Sequence, residues 1–145
     1  MEMAYLVASK SKDESMQVGT VLVTPNHTIA STGFNGFPRG VDEDEHPERN
    51  ARPEKYHWTE HAERNAVYNA ALNGSKTQYT TAYSTSAPCV ACARAFIQAG
   101  VTALYIPSKA NDPFFEAGRW DDWAEEFTKA REVLLAAGVL VTNVV

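Results

Sequence analysis

Only two cysteines occur in the 145 residues, too few for the disulfide framework that props up small secreted domains. A chain of about this length needs no such help, because it buries enough apolar surface for one core. A basic excess is also missing. Thirteen Lys and Arg face 18 Asp and Glu, a formal net charge of -5, whereas a polynucleotide partner calls for a basic footprint. Nucleic acid binding is therefore disfavoured, while a small anion needs only a local cationic pocket. No apolar run reaches the length that spans a bilayer, so no membrane partner is expected. The opening Met1-Glu2-Met3-Ala4-Tyr5-Leu6 lacks the basic segment and apolar stretch of a secretory leader. Two thiols without an export signal point to a reducing compartment, so a cytoplasmic location is expected, with the cysteines as thiols or metal ligands. No repeat, low-complexity tract or composition shift divides the chain, and one domain over residues 1–145 is expected.

What is present alternates in period. A short helix is expected near residues 4–8, then β-branched strands at 18–23 and 28–32 joined by the turn Pro25-Asn26-His27. Residues 35–56 are polar, interrupted by Pro38, Pro47 and Pro53, and read as a long loop. Helical spacing follows over 59–72 with Asn73-Gly74 as the stop, then a strand at 80–85 and a helix from Pro88 to Gln98. A strand at 101–106, an amphipathic helix at 121–137 and a strand at 139–141 close the chain. On that last helix Trp123, Phe127, Ala130 and Leu134 share one face and Gly138 caps it, and Trp120, Trp123 and Phe127 are read as core packing against the sheet in preference to a subunit interface. The order implies an α/β domain with a mixed sheet covered by helices on both sides.

Two of these helices begin with chemically pointed residues: His61-Ala62-Glu63, and Pro88-Cys89-Val90-Ala91-Cys92. Together they match the H-x-E…P-C-x-x-C pattern of zinc-dependent deaminases. Cysteines three apart share a helix face, Pro88 suits a first helical position, and free helix-start amides favour the metal-binding thiolate. With His61 as third ligand, a tetrahedral zinc keeps one position open, the mark of a catalytic site. Glu63 lies about 200° round an ideal helix from His61, so the two share a site only at the helix terminus. Zinc lowers the pKa of bound water to roughly 7, and Glu63 would shuttle protons from that water to the ring nitrogen and the departing ammonia. Taken singly, each element has a blander reading: a redox C-x-x-C, a surface histidine, a first-turn glutamate. Their conjunction carries the inference.

A narrower resemblance lies in Thr32-Gly33-Phe34-Asn35-Gly36-Phe37-Pro38-Arg39-Gly40-Val41-Asp42, and in Lys55-Tyr56 ahead of His61-Ala62-Glu63-Arg64-Asn65-Ala66. These segments resemble deoxycytidylate (dCMP) deaminases, across residues 5–106 and more weakly through the final helix. The resemblance implies a three-layer α/β/α cytidine deaminase-like fold with a mixed five-stranded sheet. It implies hydrolysis of dCMP to dUMP and ammonia. It also implies that Asn35 contacts the sugar, the Ala62 amide binds the pyrimidine carbonyl, and backbone near Ser86 accepts from the leaving amino group. Arg39, or else Lys55, is the candidate for the 5′-phosphate, since Arg grips phosphate in a fork and glycines allow close backbone approach. Arg39 is equally readable as a solvated loop charge, and Asp42-Glu43-Asp44-Glu45 is read as a solvated acidic face.

Several positions depart from the family pattern. Phe34 stands where Tyr is frequent, Thr20 where Ala is, and Glu60 adds charge directly before His61. No cysteine is spare for a second, structural zinc, so one zinc ion per subunit is expected. The resemblance further implies a homo-oligomer, hexamer or dimer, and dCTP and dTTP as effectors. The alternatives left open are deamination of dCTP, a 5-substituted dCMP or a nucleoside; a guanine or other nucleobase deaminase; and a non-catalytic zinc-binding subunit.

Overall fold

In the computed structural model, which describes residues 1–144, five strands form one sheet in the order β2-β1-β3-β4-β5. Strands β1 (Gly19–Val23) and β2 (Ile29–Phe34) form an antiparallel hairpin, and β1 also runs antiparallel to β3 (Thr81–Ser84). Strands β4 (Ala103–Pro107) and β5 (Leu140–Val144) then follow β3 in parallel. The mixed sheet read from the element order is therefore present. Helix α1 (Glu2–Ala8) precedes it, α3 (Ala62–Asn73) joins β2 to β3, α4 (Val90–Gln98) joins β3 to β4, and α6 (Trp120–Ala136) joins β4 to β5. None of the described helices is long and apolar enough to cross a membrane.

Register decides which face each helix covers. Leu22, Ala82, Leu104 and Val141 are successive cross-strand neighbours and so point to one side. That row packs with Ala66 of α3, Ala93 and Phe96 of α4, and Ala130 and Leu134 of α6 in one buried core. Right-handed crossovers that step the same way across a parallel sheet put their helices on the same face, and α4 and α6 obey this. Helix α1 lies on the other face, over β1. Two glycines make these contacts close: a Cβ on Gly19 would strike the backbone of α1 at Ala4 and Ala8, and one on Gly33 would strike α3 at Ala62 and Ala66. The expected helical cover on both sides holds, with most of it on the face that carries α3, α4 and α6.

Element ends differ from expectation in ways that matter for the site. Strand β2 continues to Phe34, two residues past the expected end. Helix α4 begins at Val90 rather than Pro88: Cys89 is its cap, in extended backbone (φ -75°, ψ 170°), and Pro88 precedes the cap. The residue before a proline and the cap itself both favour extended backbone, so the helix starts two residues later. Helices α2 (Lys55–Trp58) and α5 (Pro113–Glu116) are new; at four residues each they offer no periodicity to read. Gly74, in left-handed backbone at φ 69°, ends α3 as expected.

Gly33→Ala is expected to lower unfolding stability by about 1–3 kcal/mol, the typical penalty of overpacking. Denaturant titration checks it, and an unchanged midpoint would show that the α3–β2 contact relaxes freely.

Candidate active site

Because α3 and α4 lie side by side on one sheet face with their starts at the same edge, their caps meet. His61 caps α3 in extended backbone (φ -77°, ψ 150°), as Cys89 caps α4. The Nδ1 of His61 lies 3.6 Å from Cys89 Sγ and 3.5 Å from Cys92 Sγ. The three donor atoms lie within 4.8 Å of one another. An ion about 2.3 Å from sulfur and 2.0–2.1 Å from nitrogen, at a tetrahedral angle, sets those two atoms about 3.6 Å apart. The donors thus stand at zinc-site spacing, and sulfur with imidazole is zinc's preferred set.

Charge in this cluster is poised for a cation. The neighbouring Cys92 thiol donates toward Cys89 and, against burial and with help from His61, holds the Cys89 thiol down to about 3. Cys92 is pushed up by the Cys89 thiolate beside it and by burial, since two adjacent thiolates repel when no cation lies between them. Arg64 contributes positive charge nearby. Its guanidinium also pairs with Glu60 at 2.5 Å, and Glu60 accepts the His61 amide at 2.9 Å. The extra charge noted before His61 is therefore neutralised and helps begin α3. The first amide of α4, on Val90, is met by Glu126 of α6 at 3.1 Å.

Glu63 occupies the second position of α3, 3% exposed, where burial pushes its carboxyl up to about 7 against the pull of His61. It faces a cleft that also receives His61, Ala62, Ser86, Ala87 and Cys89. The Ala62 amide, at the first turn of α3, has no intrahelical acceptor. Apolar walls come from Met16, Val18, Phe114, Trp123 and Phe127. Phe114 and Trp123 meet edge to face at 5.6 Å, and Trp120 lies against Phe127 at 4.9 Å. Trp123, read from sequence as core, is half-buried and lines the cleft.

The opposite side is polar. Asn35 is buried with its amide held by the scaffold: Oδ1 accepts from Val18 N at 2.7 Å, and Nδ2 donates to Met16 O at 2.8 Å and Asp13 Oδ2 at 3.3 Å. Asp13 in turn pairs with Lys55 at 2.6 Å, both nearly sealed from water. Lys55 also donates to Ser15 at 2.9 Å. Arg39 does not line the cleft; its guanidinium donates to Asn69 on the surface. The cation at the mouth is Arg52, which donates to Tyr56 Oη at 3.1 Å and Ser15 Oγ at 3.3 Å and meets no carboxylate among the described residues. Asp13 and Arg52 were not singled out in the sequence because they sit in polar segments with no pattern to mark them, and Tyr56 was noted only beside Lys55 in the family resemblance. The acidic run is only partly solvated: Glu43 accepts the Phe37 amide at 2.9 Å, and Asp44 pairs with Lys12 at 2.8 Å. Gly33, within β2, packs against α3, and Gly36 in the loop lies against Glu43, whereas Gly40 has open space beside it.

Comparison with known proteins agrees with this geometry. Residues 1–108 match the family described as the cytidine and deoxycytidylate deaminase zinc-binding region. A deaminase of Aliivibrio fischeri, itself uncharacterised, is 37% identical over 97% of this chain and 88% of its own. The deoxycytidylate deaminase of Mus musculus is 35% identical over 96% of this chain and 74% of its own. Crystal structures of the dCMP deaminase from cyanophage S-TIM5, apo and in complex with dCMP and dUMP, superpose with TM-scores of 0.72 and 0.71. Both are 25% identical and cover 99% of this chain and 92% of theirs.

The Asp13–Lys55 pair yields a pH test. Burial works to raise the Asp13 carboxyl, but Lys55 and Ser15 outweigh it and the net shift is downward. A depressed folded pKa adds stability that is whole above the unfolded value of about 3.9 and is lost as pH falls through the folded value. Asp13→Asn is expected to remove that acid-side loss. At pH 7 it should also destabilise by about 3 kcal/mol or more, because Lys55 is left buried and unpaired. Unfolding midpoints of both proteins between pH 7 and pH 2 check this.

Proposed function

The chain belongs to the cytidine and deoxycytidylate deaminase family, and from that premise we propose that it hydrolyses dCMP to dUMP and ammonia. In this reading His61, Cys89 and Cys92 hold one zinc ion, and the whole chain serves as a single deaminase domain. Bound zinc supplies a water acidic enough to lose a proton near neutral pH. Everything else is work for side chains and backbone of the protein. Glu63, at the floor of the cleft beside the ligands, would take one proton from the water and pass it to the ring nitrogen as the water oxygen bonds to the amino-bearing carbon. It would then take the second proton and pass it to the amino group, which leaves as ammonia as its bond to that carbon breaks. The Ala62 amide holds the pyrimidine carbonyl, and backbone at Ser86 receives the amino group. Phe114, Trp123 and Phe127 exclude water from the base.

Asn35 borders the sugar and keeps one lone pair of Oδ1 for it. The phosphate goes to Arg52 instead of Arg39, because Arg52 lines the cleft and meets no carboxylate among the described residues. Lys55 is unsuited, its charge being matched by Asp13. A single unmatched cation favours a monophosphate over dCTP or an uncharged nucleoside. Two thiols that must stay reduced support a cytoplasmic setting. Exposed Tyr68 and Leu72 on α3 support self-association.

The observation that carries the reading is the meeting of three donors at zinc spacing with a buried carboxylate in one cleft. Ammonia release from dCMP, deoxycytidine and dCTP by zinc-loaded protein tests it. Glu63→Gln is expected to retain zinc and lose about 10²–10⁴-fold in kcat. Arg52→Ala is expected to raise KM for dCMP by about 10–100-fold, the worth of a charge-assisted contact, with deoxycytidine unaffected. Equal turnover of deoxycytidine and dCMP would contradict the phosphate reading, and full activity without Glu63 would contradict the chemistry.

A further inference from the structure

Behind the cleft wall lies a carboxylate with no place in the chemistry above. Asp112 is 1% exposed and caps α5. Its Oδ1 accepts the Phe114 amide at 2.9 Å, and its Oδ2 accepts the Ala87 amide at 2.9 Å. The Ser86 hydroxyl lies 3.1 Å and 3.0 Å from the two oxygens and donates to them. No Lys, Arg or His pairs with it among the described residues. Burying a carboxylate without a cation is costly, and here hydrogen bonds from Phe114, Ala87 and Ser86 offset that cost. Its value lies in what the three donors belong to.

Ser86 and Ala87 connect the end of β3 to the ligand Cys89, and both line the cleft, whereas Asp112 does not. In a trans peptide group the N–H and C=O are fixed in one plane and point in opposite directions. The Ala87 N–H and Ser86 C=O belong to the same group. With that N–H held on Asp112 behind the wall, the Ser86 carbonyl is turned the other way, toward the cleft. No backbone amide outside the regular elements donates to it among the described residues. It therefore stands as an open acceptor on the side where the base sits.

We propose that Asp112 is a positioning residue for recognition of the exocyclic amino group: held on the Ala87 amide and Ser86 hydroxyl, it aims the Ser86 carbonyl at the 4-amino group of the pyrimidine. A carbonyl acceptor attracts the amino group of dCMP and repels the 4-oxo group of dUMP. Asp112 thereby sets the preference for substrate over product. The same carboxylate ties α5, and with it the Phe114 ring, to that wall. This assignment rests on the dCMP reading.

The test uses zinc-loaded Glu63→Gln protein, whose turnover of dCMP is slowed, with and without Asp112→Asn, titrated in a time short against its residual turnover. Dissociation constants for dCMP and dUMP are measured by calorimetry, with zinc content and melting temperature as controls. The parent is expected to bind dCMP more tightly than dUMP. Asp112→Asn places a donor where an acceptor stood, and is expected to weaken dCMP about tenfold, one misdirected hydrogen bond, while dUMP holds or tightens. Equal weakening of both nucleotides, or an unchanged ratio, would show a merely structural role and overturn the assignment. A parent that binds neither nucleotide refutes the dCMP reading and takes this assignment with it. Ser86→Ala, a small change that removes one donor from the carboxylate, decides the matter if Asp112→Asn does not fold. A few-fold loss confined to dCMP is expected, and an equal change for both ligands overturns the role.

Discussion

Two helix starts brought to one point are the constraint on which the rest of this structure turns. A zinc ion accepts ligands only at fixed distances and angles, so His61 and the two cysteines, 28 and 31 residues apart in sequence, must arrive together. The sheet does this by carrying α3 and α4 on the same face, packed on Leu22, Ala82 and Leu104. Gly33 lets α3 settle against β2. The caps then do the rest: extended backbone at His61 and Cys89 turns both side chains across the helix ends, while Glu63 and Cys92 follow from within the first turn.

Around that point the cleft is held by buried polar groups, each with its partners in place. Asp13, Lys55 and Asn35 bind the segment after α1 to the loop after β2 and to α2. Asp112 binds the wall beside Cys89 to α5. Such networks are costly when incomplete and rigid when satisfied. Here they border a site where sub-ångström placement of a reacting ring matters. Aromatic rings on α5 and α6 close the remaining side, so the final helix supplies part of the site as well as the core.

Much of this was legible beforehand because it is periodic or local. The five strands and the long helices announce themselves by alternation and by 3.6-residue spacing, and His61, Glu63, Cys89 and Cys92 by short-range pattern. The start of α4 was misplaced because proline favours both the first helical position and the residue ahead of a cap, and only the backbone of Cys89 separates the two. Arg39 and Arg52 are alike in sequence, each in a polar loop beside proline. Which one reaches the cleft depends on how residues 35–54 fold back, and that is set by single contacts such as Glu43 with the Phe37 amide. Asp13 and Asp112 carry no pattern in the sequence, because the partners that make them part of the site, Lys55 and Ala87, lie far along the chain. Trp123 was read as core because it sits on the buried stripe of α6, and it does double service at the rim of that stripe.

Zinc K-edge X-ray absorption on the zinc-loaded protein tests the central claim most directly, since it reads the coordination sphere itself. Two sulfurs at about 2.3 Å and two nitrogen or oxygen ligands at about 2.0–2.1 Å are predicted, one of them water. A sphere with fewer than two sulfurs, or with no oxygen ligand exchangeable on adding a nucleotide, would contradict an open zinc held by His61, Cys89 and Cys92.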